Sequence, residues 1–209
     1  MTVSSARLGT LFIVSAPSGA GKTSLVKALR ESTGGLAVSV SHTTRNQRAG
    51  EVEGKDYFFV DHDEFQDMVD EGAFLEHARV FDNFYGTSKA SVEDNLQNGR
   101  DVILEIDWQG ARQVRGLMPK SKSIFILPPS LEALESRLRG RAQDDDQVIA
   151  RRMKDALAEM SHFGEFDYLV VNDDFEAALR ELQSIVIASR LKVFNQSRTH
   201  AALIEGLLG

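Results

Sequence analysis

Lys22 and Thr23 are suited by type and spacing to work on a phosphate. They close a loop of small residues, Ser15 to Gly21, and the apolar run Leu11-Phe12-Ile13-Val14 precedes that loop. Leu25, Val26 and Leu29 then recur at helical spacing. A buried strand, a glycine loop and a helix opening on Lys-Thr form the setting of a phosphate-binding loop. Its chemistry is electrostatic. A helix amino end presents unpaired N–H groups and a partial positive charge, and Gly19 and Gly21 let the backbone wrap an anion with no Cβ in the way. The Lys22 ammonium suits the β- and γ-phosphates of a nucleoside triphosphate, and the Thr23 hydroxyl suits Mg²⁺. Ala16 stands where the general pattern begins with glycine, a small departure. The plainer alternative is a strand–turn–helix corner with a surface lysine, and the strand ahead of the loop speaks against it.

A second group follows in Ser41 to Val60, SHTTRNQRAGEVEGKDYFFV. Arg45 and Arg48, three apart, can fork a dianionic phosphate, the Tyr57 hydroxyl can complete the cradle, and Glu51 can hold one arginine in place. Taken alone, this stretch fits a solvated polar hairpin as well as it fits a binding site. A third is Asp107, at the end of the apolar run Val102 to Ile106. It suits Mg²⁺ beside a phosphate loop, and equally the cap of a helix over Gly110 to Leu117. Glu105 is either a structural acceptor or part of the site. Arg139, Arg151 and Lys154 read as solvated helix charges, and Trp108 reads as packing. The five histidines show no metal-ligand spacing.

The elements that must position these groups alternate along the chain. Strands are expected at Leu11–Val14, Leu36–Val40, Val102–Ile106, Ser123–Leu127 and Tyr168–Asn172, each apolar enough to be covered on both faces. Helices are expected after Lys22, over Asp61–Glu71, Ser88–Asn98 and Gly110–Leu117, after Ser130, from Asp144–Asp146 through Met160, and from about Phe175 onward. This rhythm predicts an α/β fold with a five-stranded parallel core sheet flanked by helices. The chain reads as one domain, with its core at 8–40, 96–135 and 162–209, an inserted lobe at 41–95 and a lid at 136–161. A formal net charge of −7 over 209 residues argues against broad binding to nucleic-acid polymers or anionic membranes. The absence of cysteine fits a reducing compartment, and no apolar run reaches membrane-spanning length. A cytoplasmic protein is expected, with homo-oligomerisation left open.

The spacing Thr, Thr, Arg, two free, Arg, two free, Glu, two free, Gly, two free, Tyr within TTRNQRAGEVEGKDY resembles the signature of guanylate kinases. SAPSGAGKT is similar to their phosphate loop, where alanine commonly replaces the first glycine. FLEHARVFDNFYGTS, VILEIDWQGA, RLRGR and YLVVNDDF resemble further blocks in family order, so the likeness covers about Leu8 to Leu191, closest to the bacterial members. It implies a P-loop kinase fold with a GMP-binding lobe and a helical lid, and the reaction ATP + GMP to ADP + GDP with Mg²⁺. Residue by residue, it implies that Ala16, Pro17, Ser18, Gly19, Ala20, Gly21, Lys22 and Thr23 hold ATP, with Asn172 near the adenine. Arg45, Arg48, Tyr57 and Tyr85 would hold the GMP phosphate, while Ser41, Glu76 and Thr87 would read the guanine. Asp107 would lie near the base or, with Thr23, the metal. Arg137, Arg141 and Arg152 would approach the ATP phosphates on lid closure, working with Lys22 and Arg45 in catalysis. A non-catalytic, guanylate-kinase-like binding module would have no need of Lys22 and these arginines. A kinase of a ribosyl bisphosphate would have no use for Ser41, Glu76 and Thr87.

Overall fold

The computed structural model describes residues 7–80, 82–140 and 146–209. Five parallel strands make the main sheet: β1 (Leu11–Ser15), β2 (Leu36–Val38), β7 (Asp101–Glu105), β8 (Lys122–Leu127) and β9 (Tyr168–Val171), in the order β2-β7-β1-β8-β9. Strand periodicity sends alternate residues of β1 to opposite faces. Phe12 and Val14 join Leu25, Val26 and Leu29 of α1 (Lys22–Ser32), and Leu182 and Val186 of α7 (Phe175–Arg190). Leu11 and Ile13 join Val92 and Leu96 of α3 (Lys89–Gln97), and Val114 of α4 (Trp108–Leu117). The fold is therefore the α/β P-loop kinase arrangement, a parallel sheet with helices on both faces. After β1 the chain crosses to β2 on one side and later to β8 on the other, so a crevice opens at the carboxyl ends of β1 and β7.

A second, four-stranded sheet comes from β3 (His42–Thr43), β4 (Phe58–Phe59), β5 (Phe74–Val80) and β6 (Asn83–Ser88), in the order β4-β3-β6-β5. Helix α2 (His62–Asp70) starts where the Asp61 carboxylate accepts the Glu64 N–H at 2.8 Å, and its Phe65 stacks on Phe74 and Phe84. Helices α5 (Leu131–Arg139) and α6 (Asp146–Met160) share a small core of Leu134, Leu138, Ile149 and Ala156. The expected helix start at Asp144 lies outside the described residues. Past α7 come α8 (Val193–Thr199) and α9 (Ala201–Leu208). Among the described residues, no helix is long and apolar enough to cross a membrane.

Two element boundaries differ from the sequence expectation for a polar reason. The apolar run puts the start of β7 at Val102, yet the strand begins at Asp101, whose side chain is fully buried. Its carboxylate accepts the Thr10 N–H and the Arg190 Nε–H, each at 2.7 Å, and pairs with Arg7. Arg190 also donates to the Gly34 carbonyl at 2.8 Å, so one carboxylate ties together β7, the approach to β1 and the end of α7. The second boundary is α4. It begins at Trp108 and not Gly110, because the Asp107 carboxylate caps it by accepting the Gly110 N–H at 2.9 Å. Asp101→Asn would leave two arginines facing a neutral group. It is expected to cost about 3 kcal/mol of unfolding free energy in urea titrations; an unmoved midpoint would show that the pairs only offset their own desolvation.

Candidate active site

The phosphate loop rises from the end of β1 and feeds α1. Gly21 caps that helix with φ +94°, and a Cβ there would lie 2.4 Å from the Asn172 amide nitrogen, so only glycine fits. Lys22 points back across the sheet and donates to the Ile106 carbonyl at 3.3 Å. Burial pulls its pKa below the ordinary lysine value, while the carboxylates of Glu105, Glu159, Asp107 and Glu76 push the other way. The ammonium is thus surrounded by negative charge and held by a backbone carbonyl.

Loop, main sheet, second sheet and lid enclose one cleft of about 1050 Å³. On the second-sheet side, Arg48, Tyr57 and Tyr85 line it; Arg45, expected there from the sequence, is not in the lining but packs over Tyr57. Arg45 bonds Glu51 at 2.7 Å and packs over the Tyr57 ring at 5.3 Å, and Glu51 also accepts the Arg48 N–H at 2.8 Å. The Glu51 carboxylate therefore pairs with the Arg45 guanidinium and fixes the Arg48 backbone; the Arg45 hydrogen bond holds the Glu51 carboxyl below the usual range.

Deeper in the cleft, Glu76 from β5 is buried and accepts the Thr87 hydroxyl from β6 at 2.6 Å. Ser41 shares the same lining. Burial pushes the Glu76 carboxyl up to about 7, against the Thr87 hydrogen bond, with the Asp107 charge adding to the rise. Gly110 completes this pocket, for a Cβ on it would stand 2.6 Å from Glu76 Oε2. The Thr87 hydroxyl, a candidate donor to a base, here holds the carboxylate.

The lid arginines separate. Arg152 donates to the Ser18 hydroxyl at 3.2 Å from the face of α6 that carries Val148, Asp155, Ala156 and Glu159, all of which line the cleft. Arg151, read from sequence as a solvated charge, also borders the cleft; Arg139 instead makes exposed pairs with Glu135 and Asp146. Arg137 donates to the Asn172 carbonyl at 2.9 Å and faces a neighbouring hollow of about 420 Å³, bounded also by Gly19, Gly21, Ser24, Asp173 and Phe175. Asn172 is fixed by its amide, which donates to the Ala20 carbonyl at 2.7 Å. Arg141 lies outside the described residues. Glu105, left open by the sequence, lines the cleft; Trp108 stacks on His162 at a centroid distance of 3.6 Å, a packing contact. Arg151, Glu159 and Gly110 escape sequence reasoning. The signal for Glu159 was available, since 148, 152, 155, 156 and 159 form one helical stripe.

For a divalent cation the donor chemistry fits Mg²⁺. Thr23 and Asp107 supply a hydroxyl and a carboxylate on the same cleft, and Mg²⁺ takes few protein ligands because water and phosphate oxygens complete its shell. The cap at Gly110 uses Asp107 Oδ1, and among the described residues Oδ2 has only a 3.4 Å contact with Gln109. Among the described residues no three His, Asp or Glu side chains converge as a protein-only metal site.

The raised Glu76 carboxyl gives a ligand-free prediction. Its folded pKa of about 7 lies above the ordinary 4.5, so its favourable contribution to stability is full below about pH 4.5 and is lost as pH rises through 7. Glu76→Gln keeps the shape without the charge. It is expected to raise the thermal midpoint at pH 8 and to shift it far less at pH 5, and equal shifts at both would contradict this origin of the charge penalty.

Known proteins carry the same arrangement. The guanylate kinase family profile matches residues 8–189. Guanylate kinase of Methylococcus capsulatus is 62% identical over 201 residues, spanning 96% of this chain and 98% of that relative. Guanylate kinase of Escherichia coli is 58% identical over 202 residues, with the same shares of 96% and 98%. The crystal structure of guanylate kinase from Anaplasma phagocytophilum matches with a TM-score of 0.76 at 37% identity, over 91% of this chain and 90% of its own. Because the likeness runs through core sheet, second sheet and lid alike, the chain belongs to the guanylate kinase family.

Proposed function

We propose a division of labour for the ATP-dependent phosphorylation of GMP to GDP, the reaction of this enzyme and its family. ATP lies with its phosphates on the loop Ala16–Thr23 and its base toward the hollow bounded by Asn172 and Arg137. The GMP phosphate rests on Arg45, Arg48, Tyr57 and Tyr85, and its guanine meets Glu76, Thr87 and Ser41. The observation that carries this reading is the single cleft onto which phosphate loop, Arg48–Tyr57–Tyr85 and Glu76 all open. Mg²⁺, held by Thr23 and Asp107, would neutralise phosphate charge.

A phosphate oxygen of GMP, already anionic at neutral pH, attacks the γ-phosphorus as the bond to the ADP oxygen breaks, so no general base is required. The protein's share is positioning and charge stabilisation. Lys22 follows the β/γ-phosphates, and Arg152, with Arg141 by family resemblance, brings positive charge from the lid. Closure of the lid excludes water, which would otherwise accept the phosphoryl group. This role suits a cytoplasmic enzyme of purine nucleotide metabolism working on small molecules, not on nucleic-acid polymers.

A coupled ADP-release assay across nucleoside monophosphates tests the reading: turnover is expected with GMP, while turnover with none of them would leave a binding module. Lys22→Met is expected to lower kcat by at least ~10³-fold, with GMP affinity in calorimetry without ATP nearly unchanged. Arg152→Ala is expected to reduce kcat far more than GMP affinity, whereas Arg139→Ala, which loses only exposed pairs, should be nearly silent. Equal effects of the two arginine changes would remove Arg152 from the lid role. Gly110→Ala should raise the GMP KM about tenfold or more with a smaller change in kcat, because the new methyl displaces a hydrogen-bonded carboxylate; an unchanged KM would show that Glu76 is not held where the base binds.

A further inference from the structure

The contact of α6 with the phosphate loop sets an anion on the loop. Glu159 Oε2 accepts the backbone N–H of Ser18 at 3.2 Å. Its charge faces the Lys22 ammonium, and burial holds its carboxyl above the usual range while the Ser18 N–H and Lys22 favour the ionised form. Seven residues earlier on the same stripe of α6, Arg152 donates to the Ser18 hydroxyl. The lid thus grips Ser18 with one carboxylate and one guanidinium. A loop N–H beside a lysine ammonium is the donor set that a phosphate loop offers to a nucleotide.

We infer that Glu159 is a stand-in for donor phosphate, a positioning residue that ties α6 to the phosphate loop and must be displaced when ATP binds. The inference rests on the placement of ATP phosphates at Ala16–Thr23. The Ser18 N–H that donates to the Glu159 carboxylate is not free for a phosphate, and with Glu105, Asp107 and Glu76 also facing Lys22, a retained Glu159 would repel the incoming polyanion. Displacement takes the negative group away from the loop and leaves Arg152, which has a positive charge, to follow the phosphates. The exchange makes donor affinity lower than the loop alone would give. GMP, whose pocket lies on the second sheet, is outside this exchange.

The test is calorimetric binding of a non-hydrolysable ATP analogue with Mg²⁺ to the full chain and to Glu159→Gln. The variant is expected to bind the analogue about fivefold tighter or more, as a neutral amide competes poorly for a site that favours anions, with GMP affinity unchanged. Glu159→Asp, one methylene shorter and still charged, keeps the helix and withdraws the carboxylate from Ser18, and should give a smaller gain. Unchanged or weaker analogue binding in both variants would overturn the inference, since a merely structural contact yields no gain in donor affinity. Wild-type protein that fails to bind the analogue at all would instead refute the donor site itself.

Discussion

The Lys22 ammonium, held by the Ile106 carbonyl at the carboxyl ends of β1 and β7, is the charge around which the cleft is arranged. A protein of formal net charge −7 that joins two phosphorylated nucleotides must concentrate its cations locally and keep them apart until needed. The fold does this by geometry. Gly21 lets the loop pass against Asn172, α1 aims its amino end at the cleft, and the parallel sheet sets Lys22 among four carboxylates without a direct side-chain ion pair among the described contacts. Phosphates entering this space meet a cation whose compensation is long-range and weak. Their binding therefore gains more than an exposed lysine would give.

The second sheet poses the opposite problem, for it buries a carboxylate, Glu76, which in the proposed function reads a neutral base. Burial raises the Glu76 carboxyl to about 7 against the hydrogen bonds it takes from Thr87. A guanine edge carries two N–H donors that suit this carboxylate. An adenine edge has an unprotonated N1 and no 2-amino group, and would leave the charge stranded. In the proposed function, selectivity would come from the cost of an unpaired buried carboxylate more than from the strength of the correct pair. Thr87 on β6 bonds that carboxylate and Gly110 on α4 leaves room for it, so the space for Glu76 depends on the same helix start that Asp107 caps.

Local chemistry was legible in the sequence, and long-range polar closure was not. The strand, loop and helix of residues 11–32 could be read because apolar periodicity and glycine placement act within a few residues. The same holds for the caps at Asp61, Asp107 and Ser130. The start of β7 was missed because Asp101 is made a core residue by Arg7 and Arg190, 94 and 89 positions away. Arg151 and Arg152 are adjacent in sequence, and only the rotation of α6 decides that Arg152 reaches Ser18. The parting of Arg137 from Arg152 into two hollows depends on how α5 meets the phosphate loop, which no spacing within RLRGR encodes. Asp107 was open between cap and metal ligand; the cap is present and takes one oxygen, so the two roles are compatible.

The proposed function makes one buried carboxylate, Glu76, the source of the kinase's preference for guanine. It is tested most directly by kcat/KM for GMP and for AMP, measured in the wild type and in Glu76→Gln at pH 8. The account predicts that the GMP value falls by roughly tenfold to a hundredfold, as for loss of a hydrogen bond to a charged group, while the AMP value holds or rises, so that the preference narrows. A ratio of GMP to AMP that stays the same in the variant would contradict it.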